Sequence, residues 1–498
     1  MKVVSLDELA EALQGLKEAG KRVVLCHGVF DLLHPGHIKH FQAARREGDV
    51  LVVTVTPDRF VGKGPGRPVF NEGLRAESIA ALACVDFVAI NQWPSAVETI
   101  KRIRPDVYVK GSDYLDREAD LTQRLSFERE AVEAVGGRIH FTDEVSFSSS
   151  ELINSYFPVY PEETRGFLAS FRERYSARDI IGRMRSLKDL SVLVVGEAII
   201  DEYDYCAPQA KSPKENLIPT RYLGEEAFAG GALACANHVA GFCGKVTLVT
   251  CLGQGNSRED FVRGHLASNI DLVIFRTDAP IIVKRRFVDP AFLTKMFEIC
   301  FIQEDRMGGL EDLADYIARH TPAHDMVIAA DFGHGLFAPG VIDALRWARY
   351  LCVNAQTNSF NMGFNLITKY PRADYICLDE PEIRLAAHER TGSLQAVMSD
   401  IATKLNASKM AVTRGHRGSV TYDGGFHETP VFSREVVDRM GAGDAYLSIT
   451  SPCVAAGFPM DMVGFIGNAV GSLAIRIIGN KEPVEPGALF RYMTALLK

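Results

Sequence analysis

The sequence predicts an α/β protein of two successive domains, each built on a parallel sheet, with a β lid projecting from the second. Three observations lead there. The chain has 498 residues, about three times a typical single-domain length. Short apolar runs alternate with amphipathic helical patterns along almost all of it, the signature of parallel strands covered on both faces. One stretch, 281–302, breaks that alternation with two β-rich runs around Asp289-Pro290 and reads as a hairpin.

In the first domain, residues 1–157, the runs RVVLCHGVF (22–30), DVLVVTVTP (49–57), DFVAI (86–90), DVYVK (106–110) and GRIHFT (137–142) read as buried strands. HIKHFQAARREG and LRAESIAALACV between them carry helical apolar spacing. Together they predict a doubly wound sheet. Residues 158–190 are charged, open with two prolines and have helical spacing, which predicts a helical linker. A second strand–helix series opens at SVLVVGEAII (191–200) and runs through 498, with further strands at VTLVTCLG, MVIAADFG, YLCVNAQ, YICLD and MAVTRG.

Composition narrows the function. Apolar residues make up 47% and charged residues 24%, as in an ordinary globular protein. Fifty-five basic residues against 63 acidic give a net charge of −8, which argues against non-specific nucleic-acid binding. No run reaches the roughly 18 apolar residues of a membrane span, and MKVVSLDELAEAL lacks the basic start and apolar block of a signal peptide. The ten cysteines form no C-x-x-C pair, so buried or free thiols in a reducing cytoplasm are expected. These readings point to a cytoplasmic protein, with small-molecule partners and neither nucleic acid nor membrane.

The most informative segment of the first domain is CHGVFDLLHPGHIKHF (26–41). A strand ends at Gly28, and His34-Pro-Gly-His37 opens a helix after a short loop. Helix N-terminal amides and the helix dipole favour an anion. Gly28 and Gly36 let backbone approach a phosphate, and two imidazoles one turn apart can both meet its oxygens. A zinc pair is the competing reading, but no third ligand follows with metal spacing. His40 falls deeper in the helix, where packing is expected.

H-x-G-H after G-x-F-D resembles the cytidylyltransferase-like nucleotidyltransferases. The likeness continues through GKGPGRPVFNEGLRAESIAALACVDFV, PDVYVKGSDY and SFSSSEL. Over 22–155 the string is most similar to the nucleotidyltransferase half of the bifunctional heptose 7-phosphate kinase/heptose 1-phosphate nucleotidyltransferases. The resemblance implies that His34 and His37 stabilise the nucleotide α-phosphate and that Gly28 and Phe30 lie against the nucleotide. It implies that Lys63 neutralises the triphosphate and departing pyrophosphate, with Arg75 doing similar work. Lys110, Gly111 and Asp113 would line the nucleotide or sugar side, and Ser148 and Ser149, with Ser150, would contact phosphate. For Lys63 and Arg67, solubilising loop charge is the alternative.

In the second domain, DRMGAGDAYLSI (438–449) places Gly441-Ala442-Gly443 at a turn into a helix. The first amides of that helix form an anion hole, with Asp444 in the first turn. A carboxylate beside a phosphate cradle suits a general base for an attacking hydroxyl, although a glycine turn with an acidic cap has the same pattern. FAGGALACANHVAGFCGKVTLVTCLG, VTRGHRGSV and GNAVGSLAIRIIGN occur around it. In that order they resemble a ribokinase-like sugar kinase over about 191–490. That resemblance implies that Asp201, Gly230, Gly231 and Lys284 address the sugar. Thr413, Gly415 and Gly418 would shape the ATP site, and Asn468 would lie near adenine. Glu382 would organise magnesium through water, with Asp379 where the family has asparagine. The 281–302 hairpin would be the lid and the homodimer contact.

The sequence also departs from the heptose kinase pattern. Ala234 stands where an asparagine is expected, NAQT (354–357) replaces D-P-K-G, and the D-Y-x-K-G motif reads Asp331-Phe-Gly-His-Gly335. Arg439-Met440 replaces a pair of small residues, and the nucleotidyltransferase precedes the kinase. The expected activity is nevertheless bifunctional: phosphorylation of a sugar or sugar phosphate by Mg2+-ATP, and nucleotidyl transfer from ATP or CTP to a sugar 1-phosphate with release of pyrophosphate. The alternative keeps the transferase and makes the kinase-like domain a non-catalytic ligand sensor.

Overall fold

A computed structural model describes residues 2–61, 67–111, 124–142, 160–255, 257–303 and 310–498. The chain divides into two compact units, Met1–Ile181 with Phe490–Lys498, and Gly182–Leu489. The helices Glu162–Arg174 and Ala177–Arg185 occupy the stretch that reads as a linker.

The described part of the first unit is built on β1 (Val23–Gly28), β2 (Val50–Val55), β3 (Phe87–Ile90), β4 (Val107–Gly111) and β5 (Arg138–Thr142). Their order is β3-β2-β1-β4-β5, and every pair is parallel. The strands are continuous apolar runs because both faces are covered. Val23, Leu25, Val50 and Val52 pack under the helices Leu6–Glu18 and Val97–Ile103. Val24, Cys26, Leu51 and Val53 pack under Phe41 and Ile79. Each such side chain, fully buried, contributes about 1.5–3 kcal/mol. The order of strands reverses between β1 and β4, so a crevice opens at their carboxyl ends.

In the second unit the main sheet has the order β10-β9-β6-β13-β14-β15-β16-β17-β18. Its strands are β6 (Ser191–Gly196), β9 (Lys245–Gly253), β10 (Ile270–Thr277), β13 (Met326–Asp331), β14 (Leu351–Ala355), β15 (Tyr375–Asp379) and β16 (Lys409–Thr413), followed by β17 (Ser419–Tyr422) and β18 (Phe426–Thr429). All pairs through β16 are parallel, and the last two strands turn back antiparallel. Here the order reverses between β6 and β13.

A second sheet stands off this one, in the order β12-β11-β7-β8. The hairpin expected at 281–302 is its β11 (Ile282–Asp289) and β12 (Thr294–Phe301). The lid is larger than that hairpin, because β7 (Ala198–Pro208) and β8 (Thr220–Gly231) complete it. SVLVVGEAII is therefore two strands in two sheets, divided at Glu197. Among the described residues no helix is long and apolar enough to cross a membrane, and all ten cysteines are free.

Candidate functional site

In the first unit the crevice between β1 and β4 collects the motif residues. His34 caps the helix Pro35–Arg45, its Nδ1 accepting the Gly36 amide at 3.2 Å. Burial lowers its basicity, and an accepting Nδ1 places the neutral ring's proton on Nε2. The His37 ring stacks on it at 3.8 Å between centroids. Phe30, with φ of +48°, lays its ring against the His37 edge. A Cβ on Gly28 would lie 2.9 Å from that Phe30 ring, so Gly28 makes room for it. Asp31 accepts the Val69 amide at 2.6 Å and holds the following loop to this corner. His40 bonds Thr142 at 2.9 Å, and burial followed by the nearby Lys110 pushes it down to about 4.

Arg75, expected beside the phosphates, and Lys110, expected to line the nucleotide or sugar side, both face inward instead. Arg75 is 1% exposed. Its guanidinium donates to the carbonyls of Val29 (2.5 Å), Thr56 (2.9 Å) and Phe70 (2.9 Å) and to Asp58. That fully engaged fork braces the loops after β1 and β2, so Arg75 supports the His34–His37 corner without presenting charge to it. Lys110 is buried against Glu128 at 2.9 Å, and Tyr108 donates to the same carboxylate at 3.0 Å. Burial alone would raise Glu128, but the charges of Lys110 and His27 and the hydrogen bonds from Lys110 and Tyr108 together hold the carboxyl below its ordinary range. Arg67 is 7% exposed, which removes the reading of a solubilising loop charge. Gly111 ends β4 at the crevice. Lys63, Asp113, Ser148, Ser149 and Ser150 lie outside the described residues. Replacing Arg75 by Met strands three carbonyls and a carboxylate, so the first unit should lose on the order of 3 kcal/mol. Denaturant unfolding of the variant checks this.

The second unit encloses a cavity of about 870 Å³. At one wall of it, Gly441 (φ +76°) caps the helix Ala442–Ala455. The first helical bond runs from Ala445 N to Gly441 O at 2.9 Å. The amides of Ala442, Gly443 and Asp444 precede it and have no partner within the helix. Asp444 lines the cavity; burial and the like charge of Asp201 push it up to about 7, with Lys284 acting the other way.

Among the residues expected to address the sugar, Asp201 pairs with Arg286 at 2.5 Å, and Arg286 also holds Glu298 at 2.6 Å. Gly230 is required there, since a Cβ would come 2.1 Å from the Asp201 carboxylate. Gly231 caps the helix Ala232–Phe242 with φ of +58° and lines the cavity. Lys284 lines it as well, 9% exposed, with no ion pair among the described residues. Among the residues expected to shape the ATP site, Thr413 ends β16, and Gly415 and Gly418 shape the turn into β17. Gly418 admits no side chain, because a Cβ would lie 2.0 Å from the Thr429 carbonyl. Asn468 lines the cavity while its amide donates to the carbonyls of Thr429 and Pro430 at 2.8 and 3.0 Å.

Asp379 opens onto the cavity, whereas Glu382 stands behind it. The two form a reciprocal cap, Glu382 N to Asp379 and Asp379 N to Glu382, both 2.8 Å. The other Glu382 oxygen accepts the Thr357 amide at 3.0 Å. Burial and Asp379 push Glu382 up to about 8.

Sequence reasoning passed over Glu197, Arg286 and Asn480. Glu197 is fully buried at the point where the sheet order reverses. It accepts the amides of Phe332, His334 and Leu336 at 3.0–3.3 Å, fixing the loop that brings Phe332 to the cavity. The signal for it was an acid inside the apolar run SVLVVGEAII.

Comparison with known proteins divides the chain in the same sense. Residues 25–155 match the family model described as cytidylyltransferase-like, and 294–486 match that of the pfkB family carbohydrate kinases. The chain carries a cytidylyltransferase-like domain followed by a pfkB-type domain. The "Bifunctional protein HldE" of Geotalea uraniireducens is 41% identical over 151 residues, 30% of this chain and 29% of that protein. Its namesake in Methylobacillus flagellatus is 45% identical over 117 residues, 23% and 24% of the two chains. The alignments with the first HldE relatives thus span less than a third of those proteins' length. Phosphofructokinase-2 of Escherichia coli, crystallised with substrates and products, superposes with a TM-score of 0.51 at 11% identity over 62% of this chain and all of its own. A ribokinase-like protein from Agrobacterium tumefaciens gives 0.50 at 17% identity over 61% of this chain and 97% of its own. These two likenesses establish the ribokinase-like fold of the second unit.

Proposed function

We propose that the protein is a bifunctional enzyme of nucleotide-activated sugar synthesis, with kinase chemistry in 191–498 and nucleotidyl transfer in 1–157. The observation that carries the kinase half is one cavity in which a carboxylate stands beside three helix-start amides, facing Asp201 and a lysine that makes no ion pair among the described residues. Asp444 takes the proton of the acceptor hydroxyl as its oxygen attacks the γ-phosphorus of ATP. The amides of Ala442–Asp444 meet the charge that develops on the transferring group. Asp201 and Lys284 orient the acceptor, a heptose-like sugar or sugar phosphate.

The nucleotide brings magnesium. Among the described residues no three His, Cys, Asp or Glu side chains cluster as a metal cage. Asp379 offers the cavity a carboxylate, and one or two carboxylates with phosphate oxygens are the usual set for this ion. When bound, it offsets phosphate charge. Glu382 holds the Asp379 loop and would organise the ion through water.

In the first unit, His34 and His37 bind the α-phosphate of ATP or CTP while a sugar 1-phosphate oxygen displaces pyrophosphate in one step. The exposed Phe297, Ile299 and Phe301 of β12 support a homodimer through the lid, and a cytoplasmic site of action accords with the ten free thiols. The alternative, a sensing role for the second unit, is motivated by Ala234 and NAQT (354–357), which depart from the heptose kinase pattern; ligand binding without ADP formation would select it.

The kinase half predicts a pH dependence. The active form of Asp444 is deprotonated, so kcat/KM for phosphorylation should rise with pH and level off above about 7. Lys284→Met removes the cation that favours the charged form, so the rising limb should move to higher pH. A limb unchanged in position would count against Asp444 as the base.

A further inference from the structure

The lid meets the phosphate side of the cavity at one carboxylate. Asp438 stands three residues before Gly441 and is 5% exposed. Its Oδ1 accepts the Lys295 ammonium and the Met440 amide, the latter at 3.1 Å. Its Oδ2 accepts the Tyr203 hydroxyl at 2.6 Å and the Gly479 amide at 2.9 Å. Two of these donors come from the lid, Tyr203 on β7 and Lys295 on β12. The other two are backbone amides beneath it, and one belongs to the segment that enters the glycine turn.

The surrounding contacts reinforce the same joint. Tyr203 packs edge-on against Phe228 of β8 at 5.1 Å. The Phe228 ring in turn covers Gly479, where a Cβ would lie 2.7 Å from it. Asn480 fills the space beside Gly441, its Oδ1 2.0 Å from where a Cβ would stand, and its amide reaches Asp201 at 3.4 Å. The joint therefore links three lid strands to the turn whose amides form the anion hole.

We propose that Asp438 is a positioning residue that ties the lid to the anion-binding turn, so that seating the lid over the acceptor and setting the Ala442–Asp444 amides are one event. The proposal rests on the kinase reading of this cavity. A buried carboxylate needs its charge compensated and its lone pairs filled. Among the described residues Lys295 makes its ion pair. If the lid lifts, Asp438 loses Lys295 and Tyr203 together and keeps only backbone donors. The Asp438–Gly441 segment is then anchored from one side, and the amides next to it lose their fixed aim. Asp438, Tyr203 and Lys295 do not line the cavity, so their effect on turnover has to pass through the turn.

The test uses the full-length protein and two variants, Lys295→Met and Tyr203→Phe, the second of which keeps the ring packing and is the milder change. Amide hydrogen exchange over 438–445, without substrate, should quicken in both. In Lys295→Met, kcat for ADP formation should fall by about tenfold or more while KM for Mg-ATP changes less than twofold, because anion-hole aim matters most in the transition state. Lys295→Arg should restore most of the rate. Unchanged exchange over 438–445 in both variants would overturn the proposal, as would faster exchange with kcat intact, which would leave Asp438 a purely structural link. If the wild-type protein forms no ADP with any acceptor, the kinase reading fails, and the exchange comparison still decides whether the tie between lid and turn exists.

Discussion

Asp444→Asn should lower ADP formation by about a thousandfold, within the usual range for loss of a general base, and leave nucleotidyl transfer at the wild-type rate. The amide keeps the size of the carboxylate and its place on the helix Ala442–Ala455, so the cavity and its three helix-start amides persist. What disappears is the group proposed to accept the hydroxyl proton. Its ordinary acidity would make it a weak base, and burial with Asp201 nearby brings it to about 7, where it is both ionised and basic in neutral solution. KM for Mg-ATP should change little, because the proposed nucleotide contacts, the turn around Gly415 and Gly418 and the helix start, are untouched. Loss of kcat with KM preserved distinguishes a lost base from a lost binding contact. Coupled assays of ADP and of pyrophosphate on the same preparation check both halves of the statement.

The converse substitution is His34→Ala with His37→Ala, which should reduce pyrophosphate release by about a hundredfold or more and spare ADP formation. The two rings act as a stacked pair 3.8 Å apart, so the double variant should cost less than the product of the single losses. His34→Ala carries a second effect, because it removes the cap on the Gly36 amide and should cost the helix Pro35–Arg45 about 1 kcal/mol. His34→Asn supplies a capping side chain without an imidazole. A variant that regains stability but not pyrophosphate release would separate the capping role from the chemical one.

Most of the fold was legible because parallel strands covered on both faces must be apolar throughout, and runs such as VVLCHG and MVIAAD have no other use. The lid was only half legible. β11 and β12 are joined by a short turn and announce a hairpin. β7 and β8 carry Asp201, Glu202, Asp204, Glu225 and Glu226 among their apolar residues, and their pairing spans a longer connection. Glu197 concealed the boundary between β6 and β7. An acid there is tolerable only because three amides from a loop over 130 residues away converge on it, and that convergence is a tertiary fact.

The sites divide in the same way. Residues whose role follows from local backbone, such as the helix starts at His34 and Gly441, could be placed from the sequence. Arg75 and Lys110 could not. A cation in a nucleotide-binding motif reads as a ligand for phosphate or substrate until its acceptors are known, and here they are the carbonyls of Val29, Thr56 and Phe70 for one and Glu128 for the other. Asn480 and Asp438 were equally silent, since their partners lie on lid strands more than 140 residues away in sequence.

ADP and pyrophosphate should be measured separately on the wild-type protein with Mg-ATP or Mg-CTP and a panel of sugars, sugar phosphates and sugar 1-phosphates, heptose 7-phosphate included. Two separate sites for phosphoryl chemistry predict one acceptor series that yields ADP through the second unit, and a 1-phosphate of the same sugar that yields pyrophosphate through the first. Saturable binding of nucleotide and sugar with pyrophosphate but no ADP on any member would contradict the kinase half and make the second unit a sensor.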